Sequence, residues 1–215
     1  MTRPPAQAVF GGTFNPIHNG HLRSAQELLD RLPIAHLRFV PAHIPPHREL
    51  PEVSSEERAR MVEAAIAEDP RLSCDRRELA RAGPSYTVDT LVSLRSELGS
   101  QTPLVLVVGC DAFQELDTWY RWRELATLAH LVVMARPGWS LPRDGDPAVL
   151  LRKRYAPASD LAHAPYGCVV PVELQPWPVS STEIRALLQS GGNAQALLPP
   201  ATLAYVQQHG LYSRA

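Results

Sequence analysis

Apolar residues fall along this chain in short compact runs, separated by stretches with helical spacing. Ala8–Phe10, Leu37–Val40, Leu72–Cys74, Leu104–Val108, Leu131–Met134 and Val169–Val172 are such runs and predict strands. The unbroken apolar character of Leu104–Val108 and Leu131–Met134 predicts strands covered on both faces. Between the first two runs, Leu22, Ala25, Leu28, Leu29 and Leu32 recur at helical spacing behind Asn19, the expected N-cap. Ser54-x-x-Glu57 predicts a capping box that opens a helix with Met61, Val62, Ala65 and Ile66 on its apolar stripe. A further helix is expected from near Thr87, burying Val88, Leu91, Val92 and Leu94. Ser180 or Ser181 should cap a helix through Ile184, Leu187 and Leu188 that Gly191-Gly192 ends, and a last helix over roughly 201–209 should stop at Gly210.

Strand–helix alternation with apolar strands predicts an α/β fold, a doubly wound parallel sheet with helices on both faces. Ligands of such sheets gather at the carboxyl ends of the strands, near the point where strand order reverses. The 215 residues suit a single domain, with 139–168 a variable, partly helical excursion and 180–215 a small helical C-terminal part.

Composition narrows the function classes. At 45% hydrophobic and 20% charged residues the chain is an ordinary globular one. A formal net charge of −1 supplies no general attraction to nucleic acid or anionic membranes, so an anionic ligand must be held by a local cluster of donors. Lys153 is the only lysine; arginine suits phosphate recognition, but genome base composition accounts for the bias equally well. Cys74, Cys110 and Cys168 are scattered singly, without the spacing of a zinc site, as expected of reduced thiols in the cytoplasm. The N-terminal stretch lacks the character of a signal peptide, and no apolar run approaches the ~20 residues that span a bilayer.

The chemistry concentrates in Gly11-Gly12-Thr13-Phe14-Asn15-Pro16-Ile17-His18-Asn19-Gly20-His21. Glycines directly after a strand let a ligand approach the backbone, and a glycine at a helix start sits where free N–H groups and the dipole attract phosphate. His18 and His21 stand three apart, which places both rings on one side of a helical turn. Two imidazoles at a phosphate-binding turn can donate to oxygens on which charge grows in a transition state. A metal pair, or two unrelated loop histidines, would account for the rings but not for the glycine frame. A second cluster, Val179-Ser180-Ser181-Thr182-Glu183-Ile184-Arg185, places hydroxyls and an arginine at a helix start. Taken alone it is simply a good helix cap.

The first segment resembles the T/H-x-G-H signature of the nucleotidyltransferase superfamily, and the second resembles its I-S-S-T-x-I-R motif, with Val179 a mild departure. Pro45-Pro46-His47-Arg48, Pro84-Ser85-Tyr86-Thr87-Val88-Asp89-Thr90-Leu91, Gly109-Cys110-Asp111, Trp119-Tyr120-x-Trp122 and Arg136-Pro137-Gly138 follow in the order seen in bacterial nicotinate-nucleotide adenylyltransferases. The resemblance spans nearly the whole chain and loosens between 139 and 168. Asn15 stands where that family usually has aspartate, which removes a charge from the signature.

The resemblance implies a Rossmann-like nucleotidyltransferase fold and transfer of the adenylyl group of ATP to nicotinate mononucleotide, with Mg²⁺ accompanying ATP and no covalent enzyme intermediate. It implies that His18 and His21 are catalytic, with Gly11, Gly12, Thr13, Phe14 and Gly20 forming the ATP loop around them. Ser180, Ser181, Thr182 and Arg185 would serve ATP from the second motif, Gly109 and Asp111 from the fourth long strand run, and His47 and Arg48 from the proline-rich loop. Tyr86, Thr87, Asp111, Trp119, Tyr120 and Arg136 would shape the mononucleotide site. An indole suits a cationic pyridinium through stacking, although Trp119 read from its neighbours alone is equally a core aromatic. For Asp111 a ribose contact and a helix cap are both open. No protein metal ligands are expected. The alternatives are a superfamily relative acting on pantetheine phosphate or a cytidine nucleotide, or a nucleotide-binding regulator without catalysis. A P-loop ATPase is excluded because no G-x-x-x-x-G-K-[ST] is present, and the absence of G-x-G-x-x-G disfavours a dinucleotide oxidoreductase.

Overall fold

In a computed structural model that describes residues 4–45, 51–135 and 141–213, six strands make one sheet. They are β1 (Ala6–Gly12), β2 (Ile34–Pro41), β3 (Leu72–Cys74), β4 (Leu104–Gly109), β5 (His130–Ala135) and β6 (Val169–Glu173). All pairings are parallel, in the order β3-β2-β1-β4-β5-β6. The chain builds outward from β1 to β3, returns through a helix to β4 on the other side of β1, and builds outward again. Strand order therefore reverses between β1 and β4, where Phe10 lies opposite Val107.

Alternation along the strands divides the core into two layers. Ala8, Phe10, Leu37, Phe39, Val105, Val107 and Val132 pack on one side against α1 (Asn19–Arg31), α2 (Ser55–Ile66) and α8 (Pro200–Gln208). Val9, Val40, Leu104, Leu106, Val108, Leu131 and Val133 face the other side. There they meet α3 (Thr87–Leu98), α4 (Cys110–Gln114), α5 (Trp122–Leu128) and α6 (Gly145–Arg154). The sheet is doubly wound, as the alternation predicted. A small separate cluster of Val179, Ile184, Ala194 and Leu198 lies under α7 (Ser181–Gln189).

Local details differ from the sequence reading in informative ways. The N-cap of α1 is His18, not Asn19; Asn19 already lies in the helix and bonds through its amide nitrogens to the carbonyls of Leu197 (backbone N, 2.9 Å) and Ala196 (side chain, 3.0 Å). Ser54 caps α2 by accepting from the Glu57 N–H at 3.2 Å, but the Glu57 carboxylate accepts from the Tyr205 hydroxyl of α8 at 2.5 Å, a tertiary tie between the two helices. In α3 Val92 is exposed and Thr90 is buried in its place. Thr90 bonds Glu78 and Arg81, so a polar network claims the inner face where an apolar contact was expected. Helices α4 and α5 were not anticipated, being too short to show a periodic stripe. The 139–168 excursion contains α6 and a 3-10 turn over Ala158–Ala162.

Candidate active site

A cleft of about 1230 Å³ opens over the carboxyl ends of β1 and β4, at the reversal of strand order. Its floor is the segment from Gly11 to His21. Phe14 has a φ of 48° and is 2% exposed, so this residue turns the chain in the left-handed region while its ring stays in the core. That ring packs edge-on to Phe10, Phe39 and His21, with 5.1 Å between the Phe14 and His21 centroids. The other face of His21 stacks on His18 at 3.7 Å. The His18 backbone N–H donates to His21 Nδ1 at 3.4 Å, a long bond in which Nδ1 is the acceptor, so that the donor nitrogen of the ring is Nε2. Both rings line the cleft at the N-terminus of a 13-residue helix, where the positive end of its dipole lies; the Asn19 N–H is taken by Leu197 O and the His21 N–H by His18 O.

Two glycines are required here by space rather than by torsion angle. A Cβ on Gly12 would meet the Phe14 ring at 2.8 Å, and one on Gly20 would meet His18 Nδ1 and Val179 Cγ1, each at 3.0 Å. Gly20 is thus one point where the second motif touches the first.

The second motif is tied to the signature loop. Ser180 caps α7 in a reciprocal box with Glu183. Ser181 Oγ donates to the Pro16 carbonyl at 2.9 Å, and Arg185 Nη1 donates to the Asn15 carbonyl at 2.8 Å. Thr182 lies one turn back and accepts from Arg185 Nη2 at 3.4 Å. These side chains line the cleft and brace the loop, and Arg185 keeps further N–H donors for a ligand. Tyr212, near the end of the chain, contributes a donor to Asn15 Oδ1 at 2.6 Å. Burial holds the Tyr212 phenol well above its ordinary pKa, while the neighbouring Arg185 and Arg58 draw it down, so it remains a donor.

The opposite wall contains the other predicted residues. Gly109 is the N-cap of α4 and Asp111 lies exposed in its first turn, so the capping role left open for Asp111 is taken by Gly109. Tyr86 is the N-cap of α3 and Thr87 its first residue; the tyrosine ring lies 4.5 Å from that of Tyr120, which is half exposed. Trp119 lines the cleft and, partly buried, also packs on the α3–α5 layer. His47, Arg48 and Arg136 lie outside the described residues.

Several cleft residues were missed in the sequence. Glu78 is 6% exposed and lines the cleft beside Ser85 and Thr90. Burial pushes its carboxyl pKa up, opposed by hydrogen bonds from Thr90 and Ser85. Ser85 Oγ also accepts from the His43 N–H at 2.9 Å, which joins this wall of the cleft to the loop after β2. The position of Glu78, directly after Arg76-Arg77 and outside any clear stripe, gave no signal. Trp177 also lines the cleft, with the Arg23 guanidinium 5.7 Å from its ring centroid.

Comparison with known proteins follows the same lines. The cytidylyltransferase-like family matches residues 9–187. A protein of Cellvibrio japonicus (strain Ueda107) described as "Probable nicotinate-nucleotide adenylyltransferase" is 47% identical over 208 residues, covering 97% of this chain and 99% of its own. A protein of Aeromonas hydrophila with the same description is 45% identical over 216 residues, covering both chains completely. Among solved structures, the nicotinic acid mononucleotide adenylyltransferase of Plasmodium falciparum complexed with NaAD superimposes with a TM-score of 0.74. At 15% identity, over 97% of this chain and 98% of that one, this likeness concerns the fold alone.

Proposed function

The chain belongs to the cytidylyltransferase-like family and, within it, to the nicotinate-nucleotide adenylyltransferases, and we infer from this that it transfers the adenylyl group of ATP to nicotinate mononucleotide, yielding deamido-NAD and pyrophosphate in NAD biosynthesis. The observation that carries the reading to a mechanism is the stacked His18–His21 pair at the head of α1, facing a cleft whose far wall is the N-terminus of α3.

In this reading the triphosphate lies along the Gly11–His21 floor. The phosphate of the mononucleotide attacks the α-phosphorus of ATP, a new P–O bond forms, and the bond to pyrophosphate breaks in line. The nucleophile is already an anion, so no general base is needed. His18 and His21 donate to the oxygens on which charge builds, and because they are preorganised by Phe14 and by each other they need no rearrangement at that moment. Ser181 and Arg185 hold the loop carbonyls and thereby the loop's shape.

Magnesium fits this cleft as a companion of ATP. This ion usually keeps several waters and takes phosphate oxygens with at most one or two carboxylates, so it needs no dedicated protein cage here. It would neutralise charge on the polyphosphate. No helix among the described residues is long and apolar enough to cross a membrane.

We assign the acceptor's acid group to the start of α3. The first amides of that helix lack intrahelical partners and carry the positive end of its dipole, which suits a carboxylate. A carboxamide presents its own NH₂ to those donors and leaves them unpaired. Trp119 and Tyr120 supply the faces for the pyridinium ring. Pyrophosphate release from ATP, measured with nicotinate mononucleotide, nicotinamide mononucleotide and pantetheine phosphate as acceptors, tests the reading. Release with the first and little with the others is expected. Equal kcat/KM for the acid and the amide would remove the α3 assignment, and release only with pantetheine phosphate would remove the acceptor class.

A further inference from the structure

Arg58 is 1% exposed, on the same stripe of α2 as Met61, Val62 and Ile66. A methionine or leucine would fill such a position without desolvating a charge, and burying an ion costs several kcal/mol unless partners offset it. No carboxylate among the described residues pairs with it. Its partners are backbone carbonyls: Nε donates to Val53 O at 3.3 Å, Nη1 to Thr13 O, and Nη2 to Ala42 O at 2.6 Å and His43 O at 3.3 Å. Thr13 belongs to the loop after β1, Ala42 and His43 to the loop after β2. Thr13 and Ala42 line the cleft. One guanidinium therefore pins both loops from beneath.

The consequence for the cleft follows from the peptide plane. In a trans peptide the C=O and the following N–H point in opposite directions. With the Thr13 carbonyl drawn down to Arg58, the Phe14 N–H is turned away from Arg58, and no acceptor among the described residues takes it. We propose that Arg58 is a positioning residue for the triphosphate: it orients the Thr13–Phe14 peptide so that the Phe14 N–H serves as an anion donor, and it places a fixed positive charge under that loop. The inference rests on the adenylyl-transfer reading. It also answers the need for local cationic character in a chain of net charge −1. Lysine cannot take over, because a single ammonium lacks the planar fork that reaches carbonyls of separate loops.

The test compares wild type with Arg58→Lys and Arg58→Met, measuring kcat, KM for ATP, KM for nicotinate mononucleotide and melting temperature. Displacing a positioned peptide by about 1 Å costs on the order of 10²-fold in rate. Both variants should therefore lose about 10- to 100-fold in kcat/KM for ATP, Met more than Lys, with the mononucleotide KM unchanged. A purely architectural arginine would lower the melting temperature and leave kcat and both KM values of the folded fraction intact, which overturns the proposal. Should neither variant fold, ¹⁵N spectra of the wild type decide. The Phe14 amide and Arg58 Nε signals should shift with a non-hydrolysable ATP analogue and not with mononucleotide alone, and no shift overturns the proposal. A wild type that releases no pyrophosphate removes both the reading and this inference, whereas active wild type with unaffected variants removes the inference only.

Discussion

The Tyr212 hydroxyl donates to Asn15 Oδ1 at 2.6 Å, joining the C-terminal end of the described chain to the middle of the signature loop. The same asparagine gives its carbonyl to Arg185, so residue 15 is held at both its side chain and its backbone. Aspartate, usual in the resembling family, could accept the same tyrosine bond; the link needs an oxygen at this place, and asparagine supplies it without a charge.

Tyr212→Phe removes only the hydroxyl and keeps the buried ring. A buried hydrogen bond is worth about 1 kcal/mol net, and Asn15 can recover water from the cleft, so the stability loss should be of that order. The kinetic loss should be about 3- to 10-fold in kcat, because the loop carrying His18 loses one of the ties that hold it, the others being those from Ser181, Arg185 and Arg58. Urea denaturation and steady-state rates check both. A normal kcat with reduced stability would confine Tyr212 to folding.

Gly20→Ala examines the contact between the two motifs. Alanine is the better helix former, by about 1 kcal/mol, so on propensity alone the change should stabilise α1. The new Cβ, however, would sit 3.0 Å from both His18 Nδ1 and Val179 Cγ1. Either the imidazole leaves its stack with His21 or α7 retreats from α1. The expected outcome is little gain in melting temperature and a fall of at least about 10-fold in kcat. An active, stabilised enzyme would show that the His18 ring position is immaterial.

The doubly wound sheet was legible because buried parallel strands read as apolar runs, several of them cut off by glycine, proline or a charged residue, as at Gly11, Pro41, Asp75 and Gly109. The gathering of His18, Thr87, Asp111, Trp119 and Arg185 into one cleft was legible for a related reason: motifs that follow strand runs end up at the carboxyl edge of the sheet. What escaped depended on partners distant in sequence. Val92 and Thr90 are two residues apart and could not be sorted by spacing until Glu78 and Arg81 were in place beside Thr90. Arg58 was visible in principle, since its spacing to Met61 and Val62 puts a cation on an apolar stripe. His130 is a buried histidine whose Nε2 bonds Ala164 O at 2.8 Å and whose Nδ1 accepts from the Cys168 N–H at 3.1 Å, pinning the excursion to β5. No local pattern announces such a link.

Glu78 supplies a pH dependence with a definite sign. Its folded pKa is raised above the ordinary carboxylate value, with burial the largest cause. The folded state therefore holds the proton more tightly than the unfolded chain. The associated stabilisation is complete below the ordinary glutamate pKa and disappears as pH rises through the raised folded value. At neutral pH the buried carboxylate is a cost. Glu78→Gln retains an acceptor for Thr90 and carries no charge, so it should raise the melting temperature at pH 7. The difference from wild type should shrink on acidification and vanish below about pH 4, under the ordinary glutamate pKa. Melting curves of both proteins across this range test it, and a constant difference would place the effect in packing rather than in ionisation.

The final prediction concerns the histidine pair. If His18 and His21 act where charge grows, their removal should lower kcat far more than it weakens ATP. By analogy with the loss of one oxyanion donor, His21→Ala should cost roughly 10²–10³-fold in kcat. The geometry refines this. His21 Nδ1 accepts the His18 N–H at 3.4 Å, so the nitrogen assigned to phosphate is Nε2. A glutamine amide reaches about as far as Nε2, whereas an asparagine amide stops near Nδ1. His21→Gln should therefore retain more activity than His21→Asn, although both are neutral donors. Loss of the ring also removes its packing on Phe14 and His18, so melting temperature must be followed in every variant. ATP affinity by calorimetry separates the two effects: a nearly unchanged Kd with reduced kcat places the ring at the transition state. Parallel losses of rate, affinity and stability would mean that the rings only order the loop. A normal kcat at saturating ATP in His21→Ala would end the catalytic assignment, whatever happened to KM.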